Sequence, residues 1–220
     1  MQLNDHINRF VENGLEQEDV SSPMDPPSAY KSTIKEKVAL EAMPAFLKGL
    51  MDEHVYFQEQ LTKFDEALIT FKKMNFQFDE ATSAVFREFF LMYDYNMLAH
   101  HMKEEKILFP LLAERLIASG EHSPIDDSVN PIDVMEDEHI KMGQTSCLVF
   151  NLLGLGARLP DARSRAMIFE HAVSQGQDLV ERLKLHIFRE DEVVFQLACK
   201  HLSADELAAM ELKAKKSVAA

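Results

Sequence analysis

The sequence contains no tryptophan, only two cysteines, seven glycines and eight prolines in 220 residues. Because residues that form turns are so few, an all-β fold is excluded and long helices are favoured. Cys147 and Cys199 form neither a CxxC motif nor a disulfide framework, which indicates a reducing compartment. No apolar run approaches the roughly 18 residues of a membrane span, and residues 1–10 lack the apolar centre of a signal peptide. We therefore expect a cytoplasmic protein.

Basic residues are also scarce, with 23 Lys and Arg against 37 Asp and Glu, a formal net charge of −14. Nonspecific nucleic-acid binding and docking on anionic membranes both draw their affinity from Lys and Arg. The composition therefore predicts that neither a nucleic acid nor a membrane is a partner. Apolar residues make up 46% and charged residues 27% of the chain, a balance typical of a globular protein.

The chain divides into an N-terminal extension or linker, residues 1–30, and a helical domain, residues 31–220, because a proline-rich stretch at 21–28 interrupts any helix. Four segments then carry apolar residues at three- and four-residue steps, at about 32–71, 79–118, 131–156 and 161–201. Pro44 either starts or kinks the first of them. A short C-terminal helix is predicted after Ser203. The expected fold is all-α, an up-down-up-down four-helix bundle.

Two sequence motifs occur twice. Asp-Glu-His stands at 52–54 and again at 137–139, and the sequence HHMKEEKILFPL at 100–111 is matched by HIFREDEVVFQL at 186–197. The histidine of the first motif and the first histidine of the second motif are 46 residues apart in one copy and 47 in the other. This repeat indicates a helical hairpin that is used twice and packs into a pseudo-symmetric bundle.

Two adjacent histidines of the second segment compete for a functional role, since His100 and His101 each precede a glutamate by four residues. Residues four apart on a helix face the same way, so either pair could present an imidazole and a carboxylate together. Aligning the two copies decides between them, because it pairs His100 with His186. His101 falls opposite Ile187 and is predicted, with Glu105, to have no ligand role.

The repeat thus selects one imidazole from each of the four segments and one carboxylate from two of them, all beside apolar neighbours and expected to face the bundle interior. These residues are His54, His100, Glu104, His139, His186 and Glu190. Such groups are costly to bury unless a bound cation compensates them, and imidazole and carboxylate are natural metal ligands. We predict a metal site, shielded by an apolar shell of Met51, Met97, Met135 and Met142.

These motifs resemble those of the hemerythrin-like HHE cation-binding family over about residues 40–200. The resemblance implies a four-helix bundle that holds two non-haem iron ions joined by an oxo or hydroxo bridge, although other divalent metals also suit such ligands. It also implies that four histidines are terminal ligands and two glutamates bridge the metals. The terminal ligands would be His54, His100, His139 and His186, and the bridges Glu104 and Glu190.

The resemblance leaves three functions open. The first is binding or sensing of a small molecule such as oxygen, peroxide or nitric oxide; the second is oxidoreductase turnover of peroxide or nitric oxide; the third is an iron-handling or structural role. Oxygen-carrying hemerythrins place a second histidine four residues after the first on the third helix, where this chain has Gly143. A ferritin-like site is disfavoured because it needs two Glu-x-x-His pairs, and Met51 stands where the pair ending at His54 would need glutamate.

Overall fold

The structure, a computed structural model, describes residues 37–121 and 130–217. Every regular element in these two ranges is helical, which confirms the all-α prediction. The predicted extension at residues 1–30 lies outside the described residues, as do residues 122–129 of the loop before the third segment. No helix in the described part of the chain combines the length and the apolarity that crossing a bilayer requires.

The first long helix, α1, comprises Ala45–Lys73 and follows a single 3-10 turn at Leu40–Ala42. Pro44 is the residue immediately before the helix, with an extended ψ of 142°. It therefore starts α1 and does not kink it. A proline has no backbone N–H and fits an α-helix without a kink only near the beginning of the helix. The expectation that helix extends back to about residue 32 is wrong, because residues 37–39 are not helical.

The second segment is a continuous helical stretch over residues 80–119 in which two π turns interrupt the α-helix. Its parts are α2 (Glu80–Met92), the first π turn (Tyr93–Met97), α3 (Leu98–Lys103), the second π turn (Glu104–Leu108) and α4 (Phe109–Ser119). Asp79 caps the beginning by accepting a hydrogen bond from the Thr82 backbone N–H at 2.7 Å. Gly120 ends the stretch with a left-handed φ of 81°, as its position predicts.

The remaining helices are α5 (Pro131–Arg158), α6 (Ala162–Arg189), a third π turn (Glu190–Val194), α7 (Phe195–His201) and α8 (Ala204–Ser217). Asn130 begins α5 with a capping box, accepting from the Ile132 N–H at 2.9 Å. Asp161 and Ser203 cap α6 and α8 as predicted, by accepting hydrogen bonds from backbone N–H groups three residues on. The predicted end of the third segment, at Gly156, is two residues too early.

The helices pack closely enough that two contacts require glycine. α5 lies along α6, and α1 lies against both α2 and α6. A Cβ on Gly156 would stand 2.4 Å from the Phe169 ring, and one on Gly176 would stand 2.8 Å from Leu68 Cδ1. Gly156 therefore serves helix packing within α5 and does not terminate the helix.

Away from the predicted ligands along α1, the core is filled by aromatic rings. We call this group the phenylalanine cluster; its members are Phe64, Phe71, Phe86, Phe89, Phe90 and Phe169, all buried. Phe64 stacks on Phe89 with ring centroids 3.7 Å apart, and Phe71 meets Phe169 edge to face at 5.0 Å. The cluster joins α1, α2 and α6 through apolar contacts.

Candidate metal centre

The six residues selected by the repeat come together inside the bundle, and we call them the imidazole cluster. They are His54 of α1, His100 of α3, Glu104 of the second π turn, His139 of α5, His186 of α6 and Glu190 of the third π turn. None is more than 6% exposed. Their potential ligand atoms form two overlapping groups, each with all atoms within 4.8 Å of one another, that share both glutamates.

The four histidines form two pairs whose Nε2 atoms face each other. The Nε2 atoms of His54 and His100 are 2.9 Å apart, and those of His139 and His186 are 3.0 Å apart. Two N–H groups cannot face each other at that distance, so at least one nitrogen of each pair presents a lone pair. Each pair is thus a point at which two imidazoles converge and could hold one cation.

The two glutamates each contact both histidine pairs. Glu104 lies 3.4 Å from His100 Nε2 through one oxygen and 3.5 Å from His139 Nε2 through the other. Glu190 lies 3.2 Å from His54 Nε2 and 3.0 Å from His186 Nε2, again through different oxygens. Each carboxylate therefore spans the two places where a cation could sit.

The four oxygens of these glutamates test whether a cation fits. All are buried, and within residues 37–121 and 130–217 none has a hydrogen bond of acceptable geometry. A buried carboxylate without such partners is costly, because it has lost the hydration that stabilises its charge. A cation between the glutamates and the facing imidazoles would satisfy these oxygens, so the donor set fits metal ions well.

Four further carboxylates, which we call the outer carboxylates, each contact the Nδ1 atom of one histidine in the imidazole cluster. The Nδ1 atoms lie 2.8 to 3.0 Å from the acids in these four contacts: His54 with Asp191, His100 with Glu53, His139 with Glu105 and His186 with Glu138. A carboxylate on Nδ1 keeps the proton there and leaves the Nε2 lone pair facing inward. Lys103 pairs with Glu53, and Arg189 pairs with Glu138, at matching positions of the two copies.

The sequence pattern assigned no role to these four acids, although all of them lie inside the repeated motifs. The signal was their repetition: Glu53 and Glu138 each precede a ligand histidine, while Glu105 and Asp191 each follow a ligand glutamate. The first two hold a histidine of their own copy, whereas the last two hold a histidine of the other copy. The acids therefore tie the two hairpins together as well as orienting the imidazoles.

The π turns place the two glutamates. Glu104 and Glu190 each begin a π turn, and their backbone carbonyls accept hydrogen bonds from the N–H groups of Phe109 and Phe195, five residues on. A π turn widens the helix by one residue and is frequently found at functional sites. Its occurrence at the same position of both copies indicates that the widened turn belongs to the site.

The carboxylates also change the acidity of the histidines. Burial alone would lower the pKa of each imidazole, but the hydrogen bond to Asp191 and the nearby negative charge of Glu190 raise the pKa of His54 to about 9. In the same way, the carboxylates facing His100 and His186 raise the pKa of each to about 10. The cluster without metal therefore retains protons at neutral pH, at most one between the facing Nε2 atoms of each pair, and a cation must displace them to bind.

Two further buried polar residues lie on the second segment. His101, 4% exposed, offers a ring nitrogen within 4.8 Å of ligand atoms of His139 and His186. Tyr93, in the first π turn, is also buried, and its hydroxyl lies 3.9 Å from where a Cβ on Gly143 would stand. The alignment of the two copies assigned no role to His101.

The predicted methionine shell is present only in part. Met97, Met135 and Met142 are buried, but Met51 is only half-buried. Three rings also form part of the apolar wall, since Phe57 meets His100 edge to face at 5.2 Å, Phe195 stacks on His54 at 5.7 Å and Phe109 stacks on His139 at 5.8 Å. The apolar wall is therefore built from aromatic rings as well as thioethers.

A comparison with known families agrees with this geometry. The family model described as the hemerythrin HHE cation-binding domain matches residues 45–198. That range begins with α1, ends within α7, and contains the whole imidazole cluster with its four outer carboxylates. No curated protein and no solved structure matches the chain.

Proposed function

The chain belongs to the hemerythrin HHE cation-binding family, and from this premise we propose that it holds two non-haem iron ions and binds or senses a small molecule such as oxygen, peroxide or nitric oxide. In this proposal His54 and His100 hold one ion, His139 and His186 hold the other, and both glutamates bridge the two. Bound iron would supply coordination positions open to a small molecule and two accessible oxidation states.

The observation that carries the proposal is the pair of glutamates with unpartnered oxygens between two pairs of converging histidines. Two histidines and one oxygen from each glutamate give four protein donors at each position. An ion that prefers five or six donors retains one or two positions for solvent and for an added molecule. A purely structural site would instead be closed by protein ligands, as structural zinc sites are.

The surrounding residues orient the ligands and exclude bulk water. The outer carboxylates keep the proton on Nδ1 of each imidazole, so that Nε2 stays available. Phe109 and Phe195 stack on histidines of the imidazole cluster, and Met97, Met135 and Met142 are buried. An interior of this kind favours small uncharged or singly charged molecules over larger substrates.

The proposal includes the up-down-up-down order of four helical segments. Successive segments pack together, since α1 lies against α2 and α5 lies along α6, while α1 also packs against α6. Short connections between consecutive segments favour antiparallel neighbours. This order would bring the two copies of the repeat face to face, with the outer carboxylates around both cation positions.

Metal analysis combined with an azide titration tests the proposal. We expect two iron ions per chain in protein from iron-replete cells, and a new visible absorption band when azide is added to the oxidised protein. His100→Ala should lose at least half of the bound iron, while the matched control His101→Ala should retain nearly all of it. One ion per chain would contradict the di-iron assignment. Two ions without an azide-dependent band would favour a closed structural site.

Repeated turnover would indicate a different function for the same centre. If the iron-loaded protein consumes many equivalents of peroxide or nitric oxide per chain, it is an oxidoreductase and not a binding protein. A stoichiometric reaction that stops after one equivalent supports binding or sensing.

A further inference from the structure

His101 breaks the symmetry of the two copies at the candidate metal centre. The ligand histidines, both glutamates, the outer acids and the cations Lys103 and Arg189 all have a counterpart of similar chemistry in the other copy. His101 does not, because the residue at the corresponding place is Ile187. Both side chains are buried, at 4% and 1% exposure. One half of the centre therefore contains a third imidazole where the other half has an alkyl group.

The third imidazole lies nearest the pair of His139 and His186: one of its ring nitrogens is within 4.8 Å of a ligand atom of each, while its chain neighbour His100 meets it ring to ring at 6.0 Å. Its ring stacks on that of His139 with centroids 3.7 Å apart and an angle of 11° between the planes. It meets the His186 ring edge to face at 5.8 Å. Since Ile187 can make only apolar contacts, a polar interaction through this ring nitrogen of His101 has no counterpart from the other copy.

The stacking shows that His101 is not aimed at the same atom as His139. The lone pair of an imidazole nitrogen lies in the plane of its ring. Two nearly parallel rings stacked with centroids 3.7 Å apart do not direct their lone pairs at one cation. His101 is thus placed next to a cation on His139 and is not positioned as a further ligand to it.

The Nε2 atom of His101 is nevertheless buried and has no hydrogen-bond partner among the residues that the structure describes. A neutral imidazole left in this state is unfavourable unless something pairs with it. We propose that Nε2 of His101 forms a hydrogen bond to the small molecule taken up by the centre, on the side of the His139 and His186 pair. This inference rests on the function proposed above.

The interaction selects the class of molecule and the place where it binds. A single hydrogen bond from an imidazole favours a small molecule with an electron-rich terminal atom, such as azide or a reduced form of oxygen, over one without such an atom. Because the residue that corresponds to His101 in the other copy is Ile187, which has no polar side-chain atom, the molecule is held at one of the two cation positions. The two positions are then chemically inequivalent despite the repeat.

The test compares His101→Ile with the matched control Ile187→Leu in iron-loaded protein, using azide as the probe. His101→Ile copies the residue of the other half, so the substitution suits a buried position. We expect its iron content to stay at the wild-type value while the Kd for azide rises about tenfold, as expected for the loss of one hydrogen bond to a charged group. Ile187→Leu should change neither quantity.

A second variant and a spectroscopic measurement keep the result interpretable. His101→Gln retains an N–H donor and should recover part of the lost azide affinity. In wild-type protein the infrared stretching frequency of bound azide should shift when H2O is replaced by D2O, and the shift should be absent in His101→Ile. Circular dichroism checks that each variant is folded.

Three results would overturn the inference. Unchanged azide affinity in folded His101→Ile would show that no such hydrogen bond exists, while the proposed function would stand. Loss of one iron ion from His101→Ile and from His101→Gln would show that His101 is a metal ligand. If wild-type protein with two irons fails to bind azide, the proposed function fails, and the inference fails with it.

Discussion

The phenylalanine cluster and the imidazole cluster are equally buried parts of one helical bundle, and they differ in what their buried atoms require. Phe64 and Phe89 are at most 1% exposed and bury only carbon, so packing and removal from water stabilise them. His100 and Glu104 are just as inaccessible, but they bury nitrogen and oxygen atoms that have lost water. The first cluster is complete as it stands, whereas the second contains buried polar atoms that a cation would satisfy.

The difference shows how one sequence can supply both a fold and a binding site. The phenylalanine cluster joins α1, α2 and α6 without any bound group, so it can hold these helices in register whether or not a metal is bound. The imidazole cluster shares α1, α6 and the helical stretch over residues 80–119 with it, and can therefore have most of its ligands prearranged. Four predictions, in order of decreasing effect, test how independent the two regions are.

Removing the metal should have the largest effect. At a free concentration about 1,000 times Kd, each bound ion stabilises the folded state by about 4 kcal/mol. Loading two ions should therefore raise Tm by about 10 °C or more. Chelation should also accelerate amide hydrogen exchange around His54 and His186 more than around Phe64 and Phe169. Equal acceleration in both regions would show that they are not independent.

Phe64→Ala should destabilise the protein by about 3–5 kcal/mol, because it leaves a cavity beneath the stacked Phe89 ring. Since Phe64 lies outside the imidazole cluster, the number of bound metal ions should not change. Chemical denaturation measures the first effect and metal analysis the second. Phe188, 41% exposed, provides the control, and Phe188→Ala should change stability by about 0.5 kcal/mol or less. Loss of metal from folded Phe64→Ala would contradict the separation of the two regions.

Local signals in the sequence predicted most helix ends. Asp79, Asp161 and Ser203 cap helices because their side chains accept from backbone N–H groups within the same turn. Gly156 misled the prediction because glycine is also used where two helices approach closely, and its reason lies on Phe169 of another helix. Contacts between distant parts of the chain are not readable from one segment.

The same limit applies to the candidate centre. Comparing the two copies selected the six residues that the structure brings together, since a repeat emphasises what both copies share. It could not reveal which acid holds which histidine, because Asp191 and His54 are 137 residues apart. The comparison also assigned no role to His101, because an alignment of the two copies selects only the residues that both copies share. The difference between His101 and Ile187 is the feature that makes the two halves chemically distinct.

Glu53→Gln should weaken metal binding without changing the fold. The substitution removes the carboxylate charge from Nδ1 of His100 and also breaks the ion pair with Lys103. Loss of such an outer partner typically lowers metal affinity by about 10–100-fold. Competition with a chelator under anaerobic conditions measures the affinity. Glu59 is exposed on the same helix, so Glu59→Gln is the matched control and should leave the affinity unchanged.

The smallest predicted effect concerns pH and applies to the protein without metal. Neighbouring carboxylates raise the pKa of His54 to about 9 and that of His100 and His186 to about 10, above the usual value of 6.5. A raised pKa stabilises the folded state fully below about pH 6.5, and this stabilisation is lost as pH rises through 9 to 10.

The Tm of the metal-free protein should therefore fall between pH 7 and pH 10 by a few degrees more than that of the metal-loaded protein. In the metal-loaded form the Nε2 atoms are occupied by cations, so the same protons are already absent at pH 7. Differential scanning calorimetry of both forms across this range measures the difference and cancels the contribution of surface groups common to both. Parallel Tm curves would show that the buried histidines hold no additional protons without metal, and that the outer carboxylates act only to orient the rings.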